Sequence, residues 1–123
     1  MNIENSKIKK INLQEIKELV INVFQNQGCD LPNANALART IVSAEQDGSS
    51  SHGLFRVPGY VASLQSGKVN GKALPKIHHQ TPVILKCDSD NGFASFSHEI
   101  ALPMLVKAAK INGIAALSIT GCY

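Results

Sequence analysis

The chain has no tryptophan, and only two tyrosines and four phenylalanines among its 123 residues. A surface this poor in rings offers no stacking platform for nucleic-acid bases. Excess charge is missing as well. Twelve Lys and Arg stand against nine Asp and Glu, a net charge of +3, and only Lys7, Lys9 and Lys10 cluster. So weak and scattered a charge does not hold a phosphate backbone, and nucleic acid is excluded as a partner. The three cysteines, Cys29, Cys87 and Cys122, form no CxxC pair. An odd, scattered set argues against a disulfide framework and for reduced thiols in the cytoplasm. The opening MNIENSKIKK lacks an apolar signal core, and no apolar run reaches the length of a membrane span. Metal-ligand spacing is absent too. There is no HExxH; His78 and His79 are adjacent, so on a strand they would point to opposite faces, and His98 is remote. No metal site is expected. Neither GxGxxG nor GxxxxGK[ST] occurs, which removes a Rossmann or P-loop phosphate cradle from these residues.

What remains is an ordinary globular composition, 44% hydrophobic and 17% charged, enough for one small domain with its own core. Residues 1–11 read as a flexible polar lead-in. Asn12, with Glu15 three residues on, has the form of a capping box. Ile16, Leu19, Val20, Val23 and Phe24 then recur at helical spacing, and Gly28 is the stop. Leu31 and Pro32 open a second helix with Ala34, Leu37, Ala38, Ile41 and Val42 inward, ending near Asp47 and Gly48. A third helix is predicted over 53–66, capped by one of the preceding serines. Pro58 either kinks it or restarts it, Val57, Val61 and Leu64 are its core contacts, and Gly67 ends it. Between 69 and 90, punctuated by Gly71, Pro75 and Pro82, one or two short strands are expected, with DSDNG at 88–92 as a turn. A helix from Ser97 or His98, with Pro103 in its first turns, buries Ile100, Ala101, Met104, Leu105, Ala108 and Ile111 and stops at Gly113. The run IAALSI, 114–119, reads as a buried strand. The expected class is α/β: a helical segment over 12–68, then an α/β segment over 69–123. A chain that stops just past a buried strand is read as the N-terminal portion of a longer protein.

The chemistry concentrates in residues 47–71, DGSSSHGLFRVPGYVASLQSGKVNG. His52 can give or take a proton near neutral pH, and Ser51 beside it can orient the ring or relay the proton. Arg56 offers a bidentate fork to a carboxylate. On a helix starting at Gly53, His52 and Arg56, four apart, would share one face. The plainer alternatives are that Ser51 caps a helix with His52 on its surface, and that Arg56 pairs with Asp47 or Glu45. The three cysteines are read as structural thiols.

The stretch SHGLFRVPGYVASLQSGKVNGKALPKI resembles the malate/L-lactate dehydrogenase family, whose fold is not a Rossmann fold. ALARTIVSAEQDG before it, NGFA at 91–94 and AAKINGIAALSITG near the end fall in the family's order. RVPGYVASLQSG and NGFA look most like the branch that reduces Δ1-piperideine-2-carboxylate and Δ1-pyrroline-2-carboxylate to L-pipecolate and L-proline. The resemblance implies a non-Rossmann mixed sheet, begun but incomplete here, and a start of the cofactor-binding domain in 69–123. It implies roles for three residues: Ser51 in a proton relay, His52 as proton donor, Arg56 as clamp on the substrate carboxylate. It implies NADPH or NADH as cofactor, with its binding residues beyond Tyr123, a cyclic imino-carboxylate as substrate, and a homodimer in the full-length form. Two alternatives stand beside this: a malate, lactate or ureidoglycolate type of 2-hydroxyacid dehydrogenase, which the same His/Arg pair would serve, and a truncated product without catalysis.

Overall fold

The computed structural model describes residues 9–123; most of the expected lead-in, residues 1–8, lies outside them. The first helix, α1 (Leu13–Asn26), begins as its sequence requires. Asn12 Oδ1 accepts from Glu15 N–H at 2.9 Å, and the Glu15 carboxylate accepts from Asn12 N–H at 2.8 Å. Its buried stripe is narrower than the spacing implied: Ile16, Val20 and Phe24 are inside, and Leu19 is exposed. Helix α2 (Leu31–Gln46) is capped by Asp30, whose side chain accepts from Asn33 N–H, with Pro32 in the first turn. Ala34, Leu37, Ala38 and Ile41 of α2 close against the α1 stripe and form the main core.

The third helix departs from expectation. Two 3-10 turns, Ser50–His52 and Leu54–Arg56, come first, and α3 proper is Val57–Gln65 with Pro58 in its first turn. Proline thus restarts the chain there and does not kink it. No serine side chain caps these turns. Val57, Tyr60, Val61 and Leu64 pack against the α1–α2 core.

The remainder is a three-stranded mixed sheet in the order β1 (Lys76–Thr81), β2 (Ile84–Asp88), β3 (Ala116–Thr120), crossed by helix α4 (Ala94–Asn112). Strands β1 and β2 form an antiparallel hairpin with His79 opposite Leu85. β2 and β3 run parallel, Leu85 opposite Leu117 and Cys87 opposite Ile119, joined through α4 as a parallel pair requires. The turn after β2 takes two non-glycine residues into the left-handed region, Asp90 at φ 53° and Asn91 at φ 56°. Asp and Asn are the types that tolerate it.

Two further expectations are corrected. α4 starts at Ala94, three residues early, so Pro103 sits in its interior, not its first turns. With no N–H, Pro103 gives nothing to the Glu99 carbonyl one turn back. The inward face of α4 is Ser97, Ala101 and Ala108, while Ile111 is 70% exposed. The strand predicted as buried is a sheet edge: β3 alternates exposed and half-buried, and Ile114 precedes it, exposed. Continuous apolar character without polar alternation suggested cover on both faces; only β2, the central strand, has fully buried positions, Leu85 and Cys87. No helix among the described residues is long and apolar enough to cross a membrane.

Candidate active site

The segment from α2 to α3 carries the three residues singled out by sequence. After Asp47 caps α2, Gly48 turns left-handed at φ 72° and Ser49 N–H returns to Ala44 O at 2.8 Å. Successive serines favour local turns over helix. The first 3-10 turn closes through His52 N–H to Ser49 O at 2.8 Å, the second through Arg56 N–H to Gly53 O at 3.0 Å. Gly53 lies between them. It is buried, and a Cβ placed on it would run into the Glu45 side chain, 2.5 Å from Cδ. The reason is that Glu45 Oε1 accepts the Leu54 N–H at 2.6 Å across this glycine. Here glycine serves close approach of a carboxylate to the backbone.

Ser51 Oγ and His52 Nδ1 are 2.9 Å apart. Either the hydroxyl donates to an unprotonated Nδ1, or Nδ1–H donates to the hydroxyl; in both cases Nε2 is left free of this contact. Both residues are exposed. Arg56 is exposed too, and among the described residues it makes neither an ion pair nor a side-chain hydrogen bond. Asp47 and Glu45 do not take it up. The ion pair present among those residues is Arg39 with Glu99, bidentate at 2.6 and 2.5 Å.

The structure joins Ser51 to His52 but does not place His52 and Arg56 on one helical face. The break at Gly53 replaces the expected four-residue helical spacing with two separate turns, and the two side chains line different clefts. His52 borders an open cleft of about 730 Å³ with Asp47, Ser49, Ser95 and His98. Arg56 borders one of about 460 Å³ with Phe55, Gly59, Tyr60, Ser63 and Tyr123.

The aromatic wall of the second cleft was not singled out from sequence. Tyr60 stands edge-on to Phe24 at 6.1 Å and to Phe93 at 5.3 Å, and Phe93 meets Tyr123 at 6.2 Å. The available signal was Tyr60 lying one helical turn after Arg56. Glu45 carried no such signal, since its partner is a backbone N–H.

The two buried thiols, Cys29 and Cys87, are not reactive centres by environment. Burial, with Asp30 adding, pushes the Cys29 pKa up to about 11. Burial also raises that of Cys87, opposed by a hydrogen bond with Ser97. Cys122 is exposed. Among the described residues no three His, Cys, Asp or Glu side chains converge as metal ligands would. Nor do these residues fit a dinucleotide cradle. In the β2–α4 connection, the place such a cradle would occupy in a strand–helix–strand unit, Gly92 N–H bonds Ser89 O at 2.8 Å and the glycine packs on Ala73. Its missing Cβ makes room for protein, not for phosphate.

The family pattern of malate/L-lactate dehydrogenase matches residues 11–123. This chain belongs to the malate/L-lactate dehydrogenase family. It is 43% identical over 114 residues to a Δ1-pyrroline-2-carboxylate reductase of Ancylobacter novellus, covering 93% of this chain and 33% of that protein. The crystal structure of Δ1-piperideine-2-carboxylate reductase from Pseudomonas syringae pv. tomato superimposes with a TM-score of 0.91 at 36% identity, over 94% of this chain and 35% of that one. The malate dehydrogenase of Entamoeba histolytica superimposes at 0.84 with 27% identity, over 93% and 32%. The chain thus spans about a third of the length of the curated relatives it matches, their N-terminal part.

Proposed function

We propose that this chain forms the substrate-side part of an NAD(P)H-dependent reductase of cyclic imino acids, converting Δ1-piperideine-2-carboxylate to L-pipecolate and Δ1-pyrroline-2-carboxylate to L-proline. The observation that carries the reading is the uncommitted guanidinium of Arg56 four residues from a serine-supported imidazole, on a chain 43% identical to a reductase of this kind. Arg56 takes the substrate carboxylate in a bidentate grip. His52, with Nδ1 held by Ser51, presents Nε2 to the ring nitrogen. A protonated cyclic imine is the better electrophile, and an imidazole near neutrality is suited to supply that proton.

The two residues open onto separate clefts, so the proposal requires one substrate to reach from the Arg56 cleft to the His52 cleft. The nicotinamide supplies the hydride; its contacts are assigned to the two thirds of the relatives' length that this chain does not match, and no step above passes through it. The whole protein is read as a cytoplasmic homodimer using NADPH or NADH.

The same pair of residues would hold a 2-keto acid, and a malate dehydrogenase shares the fold. One assay separates the readings. Oxidation of NADPH and NADH is followed with Δ1-piperideine-2-carboxylate, Δ1-pyrroline-2-carboxylate, pyruvate and oxaloacetate, for this chain and for the longer protein containing it. Turnover of the cyclic imines supports the proposal. Turnover of the keto acids alone moves the assignment to the 2-hydroxyacid dehydrogenases. Folded but silent protein in both forms favours a non-catalytic role.

A further inference from the structure

Glu45 sits in the last turn of α2, outside both clefts, yet it touches the loop that carries every candidate residue. It is the one side chain, among those described, that accepts a hydrogen bond from the backbone of residues 49–57. The two 3-10 turns have no side-chain caps of their own. Backbone bonds close each turn within itself, His52 N–H to Ser49 O in the first and Arg56 N–H to Gly53 O and Val57 N–H to Leu54 O in the second, and the joint between them is Gly53, the residue with the least intrinsic preference for one conformation. The angle between the turns sets where His52 stands relative to Arg56. Glu45 fixes that joint twice, by accepting the Leu54 N–H at 2.6 Å and by filling the space a Cβ on Gly53 would need. The carboxylate so engaged is also withheld from Arg56, which stays free for a substrate anion.

We infer that Glu45 is a positioning residue for the Ser51–His52 and Arg56 pair, holding the two turns at the separation that lets one substrate reach both. It does so as a hydrogen-bond acceptor for Leu54 rather than as a charge. The inference rests on the proposed roles of His52 and Arg56.

The roles predict a specific order among variants. Glu45→Gln keeps an acceptor oxygen at the same reach. Glu45→Ala removes it, and Glu45→Asp keeps the charge but falls one methylene short. On the 123-residue chain, NMR gives two readouts: hydrogen–deuterium exchange at the Leu54 amide, and the affinity for L-pipecolate from its shifts of the Arg56 side-chain resonances. The expectation is that Gln leaves both within about threefold of wild type, whereas Ala and Asp speed Leu54 exchange and weaken L-pipecolate by about tenfold, the worth of one hydrogen bond. If Glu45→Ala does not fold, Glu45→Asp carries the comparison.

Wild-type affinity in Ala or Asp despite fast Leu54 exchange overturns the positioning role. So does a Gln variant as weak as Ala. Arg56→Ala separates the underlying reading: it should lose L-pipecolate with Leu54 exchange unchanged. Binding that survives Arg56→Ala, or no saturable binding by the wild type, overturns the carboxylate clamp and this inference with it.

Discussion

Replacing Gly92 with alanine should destabilise this protein more than any surface change, for a reason visible in one contact. Gly92 and Ala73 are both buried, Ala73 completely. A Cβ on Gly92 would overlap Ala73 Cβ and stand 3.0 Å from the Ser89 carbonyl oxygen. Neither obstacle can rotate away: one is a methyl fixed to its backbone, the other is backbone. The turn must therefore shift, and the shift works against Gly92 N–H to Ser89 O and Asn70 N–H to Asn91 O, both 2.8 Å. Overpacking of this kind costs about 1–3 kcal/mol, and rigid neighbours on two sides put Gly92→Ala at about 2–3 kcal/mol. At this chain length that lowers Tm by roughly 4 °C per kcal/mol, so by about 8–12 °C. Ala73→Gly alone loses a buried methyl and adds backbone freedom, about 1–2 kcal/mol. Combined, the two changes move one methyl from residue 73 to residue 92. The double variant should then be at least about 1 kcal/mol more stable than the sum of the singles, a coupling measurable in urea or thermal melts. A Gly92→Ala protein within about 0.5 kcal/mol of wild type, or strict additivity in the cycle, would refute the steric argument.

In the longer protein, Arg56→Ala should raise KM for the imino-carboxylate by tenfold or more, on the order of one bidentate charge-assisted contact, with kcat less affected. His52→Ala should lower kcat by about a hundredfold or more with cofactor affinity intact; near-normal turnover would remove it as proton donor. The raised Cys29 pKa has a stability consequence. Between the ordinary value of 9.0 and about 11, the folded state holds a proton the unfolded state has released. Stability contributed at Cys29 is therefore complete below pH 9 and declines as pH climbs toward 11. Denaturation midpoints across that range should fall more steeply for the wild type than for Cys29→Ala.

Where a local signal sufficed, the sequence was readable. Asn12 and Glu15 fixed the start of α1, Leu31 and Pro32 marked the start of α2, and Gly113, at φ 85°, ends α4. The α/β class followed from a helix leading into a short apolar run; the parallel pairing of β2 and β3 came only with the structure. What escaped was decided between distant residues. The extra turn at the start of α4 is held by Ala94 N–H reaching Tyr123 O at 3.4 Å and by Phe93 seated among aromatic rings, neither of which leaves a capping pattern. The alternate exposure along β3, which β2 shares, depends on which face of the sheet is covered, and composition does not specify that. At the proposed site, Ser51, His52 and Arg56 could be singled out as candidates because the chemistry proposed for them is carried by residue type. Their arrangement was not, because a glutamate eight residues upstream of Gly53 dictates the break between them.

The aromatic ladder through Tyr60, Phe93 and Tyr123 gives the protein an optical property of its own. With no tryptophan to dominate, near-ultraviolet emission comes from two tyrosines, and both line the Arg56 cleft. The chain's whole intrinsic fluorescence thus originates within a few side chains of the proposed carboxylate clamp. A small anion settling on Arg56 would be read directly, with no label attached and no distant fluorophore to dilute the signal.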